Sequence, residues 1–148
     1  MSTYTQILYQ IVFNTKYARN TLLRENREKL FKYAAAIIRK KNCVVYEING
    51  VDNHIHIATH LHPSVSLASL VKDIKVASSL WIKQQRLFPD FIGWQNGYGA
   101  FTYSISAKKN LTNYIKRQEW HHKKVTFKEE YVQLLREFNI DFDERYLL

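Results

Sequence analysis

Residues 43–61 read CVVYEINGVDNHIHIATHL and predict a β-hairpin. The run Cys43–Ile48 is rich in β-branched and aromatic residues, which favour strands. Asn49-Gly50 is a dipeptide typical of two-residue hairpin turns, and the alternation of apolar and polar side chains in Val51–Leu61 indicates a second strand. The stretch therefore predicts two antiparallel strands joined by a tight turn.

The second predicted strand carries a cluster of histidines. Successive side chains of a strand point to opposite faces, so His54 and His56 share one face while Ile55 and Ile57 lie on the other. An ordinary solvated face would carry Lys, Thr and Glu instead. Two imidazoles on one strand face can bind a metal ion. For this motif alone, a pair of histidines that faces solvent or a partner is the alternative.

Hydrophobic periodicity predicts the remaining elements. They are strands at Ile7–Phe13 and Tyr98–Ile105, and helices at Glu25–Lys41, Ser66–Arg86, Asn110–Lys123 and Phe127–Phe138. The resulting order βαββαβ is typical of the ferredoxin-like or RRM-like split βαβ arrangement, in the α+β class. We expect an antiparallel sheet with two helices on one face, followed by C-terminal helices. His54 and His56 would then lie on the open face of the sheet.

Length and composition favour one compact domain. The chain has 148 residues, 46% of them hydrophobic, and only 4 Gly and 2 Pro, which leaves no flexible linker. We expect residues 1–148 to form a single domain. Its βαββαβ core would span 1–105, and a C-terminal helical segment would span 106–148.

Several classes of protein are excluded or disfavoured. Cys43 is the only cysteine, so an intrachain disulfide and a thiolate zinc site are both excluded. The sequence has no 18-residue apolar run, and Met1–Tyr4 lacks the basic and apolar regions of a secretory signal. We expect a cytoplasmic protein that does not contact a membrane.

The net charge of +9, from 22 Lys+Arg against 13 Asp+Glu, favours a polyanionic partner, and nucleic acid is the first choice. Aromatic residues such as Tyr98 and Trp120 lie among the basic ones and offer surfaces on which bases can stack. For any single lysine, a solvated helix face is the alternative. The candidate DNA contacts are Lys75, Lys108, Lys109, Lys116 and Arg117.

Tyr114 and Gln118 are four residues apart in a predicted helix, so they lie one turn apart on the same face. A phenol and an amide so placed can serve one site. The spacing alone carries little weight, because the chain has 10 tyrosines and a helical tyrosine usually belongs to the core.

Four segments of the sequence, taken together and in order, point to a known family. They are GVDNHIH at 50–56, LVKDIKVASS at 70–79, GWQNGYGAF at 93–101 and YIKRQ at 114–118. The set closely resembles the single-tyrosine HUH transposases of small bacterial insertion sequences, which move as single-stranded DNA. The resemblance covers nearly the whole chain, and the matching positions show no departure from the family pattern.

The resemblance implies a site and a reaction. His54 and His56 would bind a divalent metal ion, Mg²⁺ or Mn²⁺, with Gln118 as the third protein ligand. Tyr114 would attack a phosphodiester and form a 5′-phosphotyrosine beside a free 3′-OH, which could later reverse the step. The resemblance also implies that the substrate is single-stranded DNA with stem-loop ends and that the protein acts as a homodimer.

The other histidines receive no metal-binding role from the sequence. His60 and His62 continue the alternation towards the end of the strand, where they are candidates for outer contacts to the site or contacts to DNA. His121 and His122 follow Gln118, and we expect them to form part of a basic surface; the alternative is that one of them approaches the site from the same helix face.

Three functions from different classes stay open. The first is the transposase, with a related monomeric enzyme that acts on dispersed palindromic repeats as its near neighbour. The second is a non-catalytic RRM-like module that binds nucleic acid without metal and without a covalent adduct. The third is a His-metal hydrolase of another substrate, in which Tyr114 would be structural.

Overall fold

The computed structural model describes residues 2–147 and confirms the βαββαβ order followed by helices. The strands are β1 (Leu8–Asn14), β2 (Val44–Gly50), β3 (His54–His60) and β4 (Gly99–Tyr103). The helices are α1 (Arg24–Lys40), α2 (Leu67–Gln85), α3 (Lys108–Lys116), α4 (Gln118–His121) and α5 (Phe127–Glu137), and short 3₁₀ turns occur at Lys16–Ala18, Ile105–Ala107 and Glu144–Tyr146. The predicted α+β fold class is confirmed.

The sheet has the strand order β2-β3-β1-β4, and every neighbouring pair is antiparallel. The β3 strand lies between β2 and β1, so its backbone is paired on both sides. In the register with β1, His54 lies opposite Asn14 and His56 lies opposite Val12. The two histidines are therefore held on a rigid inner strand, while β4 forms an edge of the sheet.

One face of the sheet packs against α1 and α2. Ile55 and Ile57 are fully buried there, as predicted, together with apolar side chains from both helices. The α2 helix begins where the sequence indicates, because the side chain of Ser66 accepts a hydrogen bond from the backbone N–H of Ser69. This face forms the larger hydrophobic core of the described residues, 2–147.

The opposite face is not open, which corrects the prediction for His54 and His56. The C-terminal helices cover it, and both histidines have no exposed surface. The physical reason is that this face also carries apolar side chains of β1, β3 and β4 that need burial. The residues that bury one another here are Val12, Phe101, Phe127, Tyr131, Leu134 and Leu135 in one cluster, and Leu8, Ala58, Leu111 and Ile115 in another.

The hairpin turn begins two residues further along the chain than predicted. The β2 strand runs through Asn49 to Gly50, and Gly50 pairs with Ile55. A β-carbon at Gly50 would lie 2.3 Å from the carbonyl oxygen of His54, so this position needs glycine for close approach of two strands and not for a turn. The turn itself comprises 51–53 and leads directly into His54.

The predicted helix Asn110–Lys123 is interrupted. It ends as α3 at Lys116, bends at Arg117 and resumes as the short α4. The side-chain N–H groups of Asn49 donate to the carbonyl oxygens of Ile115 at 3.0 Å and Lys116 at 3.1 Å. Because these carbonyls are the acceptors that a continuing helix would use, the β2 strand breaks the helix next to Gln118.

Candidate active site

Glu130 lies at the centre of the buried cluster on the second face of the sheet. Its side chain comes from α5, and the residue is only 2% exposed. The Oε1 atom lies 3.0 Å from Nε2 of His56, 3.3 Å from Nε2 of His54 and 3.0 Å from Nε2 of His122. One carboxylate oxygen thus faces three imidazoles at once.

The second oxygen of Glu130 faces the predicted nucleophile and its neighbours. The hydroxyl of Tyr114 donates a hydrogen bond to Oε2, and the side-chain N–H of Gln118 donates to the same atom at 3.1 Å. Nε2 of His121 lies 3.3 Å from Oε2 as well. The structure therefore brings the predicted residues His54, His56, Tyr114 and Gln118 together around a carboxylate that the sequence did not assign.

His122 also belongs to this cluster, which corrects its assignment to a basic surface. Its ring is 9% exposed, packs against the ring of His54 with centroids 4.5 Å apart, and directs Nδ1 at the carbonyl oxygen of Val125, 2.8 Å away. His121 is one-quarter exposed and lies at the rim. The fold of the turn between α4 and α5 places His122, and this turn could not be predicted from residue spacing.

The imidazoles of His54 and His56 each have an oxygen atom next to Nδ1. Nδ1 of His54 lies 2.7 Å from the side-chain oxygen of Asn53. Nδ1 of His56 lies 2.7 Å from Oε1 of Gln10, and the amide nitrogen of Gln10 donates to the hydroxyl of Tyr103 at 2.7 Å. Gln10 lies on the neighbouring strand β1 and is fully buried. These contacts orient both rings with Nε2 towards Glu130.

Burial and the neighbouring groups act in opposite directions on the pKa values of His54 and Glu130. Burial lowers the pKa of His54 to about 3, against a smaller opposing contribution from Glu130. Burial alone would raise the pKa of Glu130, but the surrounding rings of His122, His54 and His56 outweigh it and hold this pKa below its usual range. The carboxylate is therefore ionised at neutral pH.

Burial raises the pKa of Tyr114 above its ordinary value, and the Glu130 carboxylate raises it further. The phenol is therefore protonated at neutral pH, and its hydrogen is directed at Glu130. A cavity of about 280 Å³ between α3 and α5 reaches both Tyr114 and Glu130. The phenol is consequently accessible from outside, although the histidines behind it are buried.

The acceptor atoms of the cluster suit a cation. The ligand atoms of His54, His56, His122 and Glu130 all lie within 4.8 Å of one another. Imidazole nitrogens and carboxylate oxygens are common ligands of divalent metal ions in proteins. The residues present thus fit the divalent metal that the sequence analysis implies.

Gln118 is fully buried beside this cluster. Its side-chain oxygen lies 3.3 Å from Nε2 of His54, and its side-chain nitrogen donates to Glu130. The bend at Arg117 does not separate it from Tyr114, because both contact the same carboxylate. Its role as third metal ligand stays a prediction.

Lys75 does not project freely into solvent. It is half-buried, and its ammonium group donates to the carbonyl oxygens of Gln95 at 2.7 Å and Gly97 at 2.6 Å. Burial lowers its pKa. Lys75 therefore ties the loop before β4 to α2.

The other candidate DNA contacts lie on α3 or at its end, the helix that carries Tyr114. Lys109, Lys116 and Arg117 are exposed, and Lys108 lies over the ring of Tyr46 at 4.6 Å. The Lys116 ammonium is 3.8 Å from a carboxylate oxygen of Glu47. Their role in binding DNA stays a prediction.

His60 and His62 lie outside the cluster. Nδ1 of His60 accepts a hydrogen bond from the backbone N–H of Ile7 at 3.1 Å, so its ring supports the strand end. His62 contacts Ser64 in the loop after β3. Neither takes part in the Glu130 cluster.

None of the helices within residues 2–147 has the length and apolar character needed to cross a bilayer. This finding agrees with the absence of a long apolar run in the sequence.

The comparisons with known proteins converge on one family. A family model described as "Transposase IS200 like" matches residues 3–118. Transposases for insertion sequence element IS200 from Salmonella typhimurium and Salmonella typhi are each 29% identical to the chain over 117 residues, which is 74% of this chain and 75% of theirs.

Two solved structures share the fold. A candidate transposase from Deinococcus radiodurans R1 superposes with a TM-score of 0.63 at 20% identity, over 80% of this chain and 95% of its own. A REP-associated tyrosine transposase bound to a REP hairpin has a TM-score of 0.63 at 16% identity, over 84% of this chain and 76% of its own. Because the family model covers most of the chain, up to and including Gln118, the protein belongs to the IS200-like transposase family.

Proposed function

We propose that this transposase cuts and rejoins single-stranded DNA at the ends of an insertion sequence through a covalent bond to Tyr114. One observation carries the proposal. The phenol of Tyr114 and the imidazoles of His54 and His56 contact the same buried carboxylate. A nucleophile held beside converging metal ligands is the arrangement that phosphodiester transfer needs.

The proposed reaction conserves the number of phosphoester bonds. The Tyr114 oxygen attacks the phosphorus, a new Tyr–O–P bond forms, and the bond between phosphorus and the 3′ oxygen breaks. The phenol proton is lost, and the departing 3′ oxygen gains a proton, so the products are a 5′-phosphotyrosine and a free 3′-OH. A 3′-OH can then attack the phosphotyrosine and rejoin the DNA without ATP.

In this proposal a divalent metal ion, Mg²⁺ or Mn²⁺, is held by His54 and His56, with Gln118 predicted as the third ligand. Bound there, the ion would act as a Lewis acid towards a phosphodiester oxygen. The protein residues keep the rings oriented, since Gln10 and Asn53 accept hydrogen bonds from their Nδ1 atoms.

Single-stranded DNA with stem-loop ends is the proposed substrate. The net charge of +9 and the exposed cations of α3 support a polyanionic partner next to the nucleophile. A structural neighbour was solved bound to a REP hairpin, which supports hairpin DNA as the ligand class. We also propose a homodimer, supported by the position of β4 at a free edge of the sheet, and light scattering of the purified protein measures this directly.

A denaturing gel tests the proposed nucleophile. The protein is incubated with Mn²⁺ and labelled single-stranded oligonucleotides that cover the element ends, beside the variants Tyr114→Phe and Tyr146→Phe. Tyr146 is 80% exposed and lies outside the site, so it is the matched control. We expect a slow-migrating adduct in the wild type and in Tyr146→Phe, and none in Tyr114→Phe.

Two outcomes would count against the proposal. Cleavage that survives in Tyr114→Phe would mean that another group attacks the phosphorus, as in a metal-dependent hydrolase. Binding of the cognate ends without any adduct in the wild type would favour the non-catalytic nucleic-acid-binding module.

A further inference from the structure

We propose that a cleft beside Tyr114, lined by Arg117 and Trp120, binds a nucleotide next to the scissile phosphate, with its base stacked on the indole of Trp120. The inference rests on the proposed function, because it concerns how the same site holds its single-stranded DNA. Trp120 lies beyond residue 118, where the family match ends.

The cleft has a volume of about 350 Å³ and lies along α3 and α4. Its lining residues are Asn110, Asn113, Tyr114, Arg117, Trp120 and His121. Asn110, Tyr114 and His121 also line the cavity of about 280 Å³ that reaches Glu130, so the two cavities adjoin at the proposed nucleophile. A strand whose phosphate reaches the Tyr114 hydroxyl in one cavity can therefore place a neighbouring nucleotide in the other.

The bend at Arg117 forms the cleft. Residues 114 and 120 are six positions apart, and in a continuous α-helix their side chains would point about 120° away from each other. Because the chain leaves the helical conformation at Arg117, Tyr114 at the end of α3 and Trp120 in α4 line the same cleft. The bend thus brings an aromatic surface next to the proposed nucleophile.

Trp120 has the largest aromatic ring system in this cleft. The residue is 57% exposed, and the ammonium group of Lys124 lies 4.5 Å from the centre of its ring. Every base has a π-face that can stack on an aromatic side chain, whatever the sequence. A stacked base contributes more to binding than a solvent-exposed cation–π contact usually does, so it can displace Lys124 from the ring. The displaced ammonium group can then contact a phosphate.

The charges around the cleft suit the phosphates of a single strand. The exposed cations of this stretch are Lys116, Arg117, Lys123 and Lys124. Glu119 is the acidic residue of α4, and its carboxylate lies 2.8 Å from Nη2 of Arg24 and 3.5 Å from Nη1 of Arg27. These ion pairs with α1 neutralise Glu119, so cations dominate the surroundings of the cleft.

Fluorescence titration of the full-length protein with single-stranded DNA that covers the element ends tests the inference, with a chelator present so that no strand is cut. The chain has 3 tryptophans. Trp81 stacks on Tyr33 and Trp94 is buried, which leaves Trp120 as the exposed indole. We expect DNA to quench the tryptophan emission of the wild type. Trp120→Phe should lose this quenching and keep most of the affinity, because a phenyl ring can still stack.

Fluorescence anisotropy of a labelled strand measures the affinities. Trp120→Ala should weaken binding by about 5- to 100-fold and leave its salt dependence unchanged, because no phosphate contact is lost. Arg117→Met should reduce the slope of log K against log salt by about 0.7. Tyr146→Ala is the matched control and should bind as the wild type does, because Tyr146 is also an exposed ring beneath a cation, Arg145, and lies outside the cleft.

Abasic strands identify the stacked nucleotide and do not depend on how a variant folds. The abasic site is placed in turn at the nucleotides that flank the cut phosphate, which the denaturing gel locates. At one position the wild type should bind the abasic strand about 5- to 100-fold more weakly than the intact strand. Trp120→Ala should cause no further loss with that strand.

Three results would overturn the inference. They are wild-type emission that DNA does not quench, equal affinities of Trp120→Ala and Tyr146→Ala, and an effect of Trp120→Ala that is the same on intact strands and on every abasic strand. Light scattering that shows a smaller assembly for Trp120→Ala would instead assign the indole to a contact between two copies, and it would also overturn the stacking.

The inference and the proposed function can fail separately. Normal affinity of Trp120→Ala, with a DNA adduct at Tyr114, would reject the stacking and retain the reaction. Conversely, quenching of Trp120 and its loss on one abasic strand, without any adduct when Mn²⁺ is supplied, would retain the nucleotide cleft and reject the reaction; the flanking positions are then scanned along the whole strand.

Discussion

Glu130 links Tyr114, the predicted nucleophile, to the histidines of the site. Its Oε1 faces the rings of His54, His56 and His122, and its Oε2 accepts the hydrogen of Tyr114. Because one carboxylate contacts both, it holds the phenol of Tyr114 beside the imidazoles. The same contact holds Tyr114 at the wall of an accessible cavity.

The buried rings predict how stability depends on pH once metal has been removed by a chelator. Burial lowers the pKa of His54 from 6.5 to about 3, so between these pH values the unfolded chain binds a proton that the folded chain does not. Stability should therefore be complete above pH 6.5 and fall by up to a few kcal/mol as the pH drops. His56, His122 and Glu130 face this ring, and the lowered pKa of Glu130 adds a loss in the same direction below its ordinary value of 4.5.

Thermal unfolding of the chelated protein over this pH range measures the effect. His54→Asn removes the titrating group and should flatten the profile between pH 6.5 and the onset of carboxylate titration. A melting temperature of the wild type that is independent of pH over that range would contradict the buried, neutral state of His54.

The sequence could single out His54, His56, Tyr114 and Gln118, because four segments that together resemble a known family contain them, although the spacing of Tyr114 and Gln118 alone carries little weight. The sequence gives a weaker indication that Glu130 belongs to the site. It is an acidic residue within the apolar stripe of α5, between residues that are buried. This indication can be used only when α5 is known to cover β3. The contact between these elements joins His56 and Glu130, which are 74 residues apart in the sequence.

At the scale of elements, β2 determines the shape of the helical segment that carries Tyr114. Asn49 bonds the carbonyl oxygens at the end of α3, so the chain bends at Arg117 and α4 starts with Gln118. The hairpin therefore fixes the position of α3 and α4 relative to the histidine strand β3. A substitution in the hairpin that removes the hydrogen bonds of Asn49 should therefore alter the geometry of the site.

Asn49→Ala tests that coupling. Loss of both hydrogen bonds should lower the free energy of unfolding by about 1–2 kcal/mol. It should also weaken Mn²⁺ binding, because α3 and α4 can then straighten and displace Gln118. Urea unfolding and metal titration measure the two effects, with the exposed Asn113→Ala on α3 as control. Unchanged Mn²⁺ affinity in Asn49→Ala would show that the bend does not position the site.

Local patterns in the sequence predicted which elements form, because hydrophobic periodicity acts within a few residues. They did not predict the shifted turn or the bend at Arg117. Gly50 is needed for a contact across the hairpin, and Asn49 acts on residues 66 and 67 positions away. Both depend on tertiary contacts that residue spacing does not reveal.

At the scale of the molecule, the two faces of the sheet have different roles. The face covered by α1 and α2 is an apolar core, while the face covered by α3–α5 contains the polar site. The sequence predicted the first region from alternation in the strands. It did not predict that the histidine face would be closed, because the packing of separate helices on a sheet cannot be read from their own periodicity.

The basic residues should divide into structural and DNA-binding groups. Lys75→Met should lower the free energy of unfolding by about 1–3 kcal/mol, because Lys75 holds the loop at Gln95 and Gly97. The same substitution should leave the salt dependence of DNA binding unchanged. Lys109→Met should leave stability unchanged and reduce the slope of log K against log salt by about 0.7–1. Urea unfolding and fluorescence anisotropy at several salt concentrations distinguish them, and the reverse pattern would contradict this division.

The most direct test of the account is mass spectrometry of the covalent adduct between protein and DNA. After incubation with Mn²⁺ and a labelled strand, nuclease and trypsin digestion should release residues 110–116, in which Tyr114 is the only tyrosine. We predict a nucleotide mass on this peptide, joined through a 5′ phosphate. DNA cleavage with the nucleotide on another peptide, or with no protein adduct at all, would contradict the assignment of Tyr114 as the nucleophile.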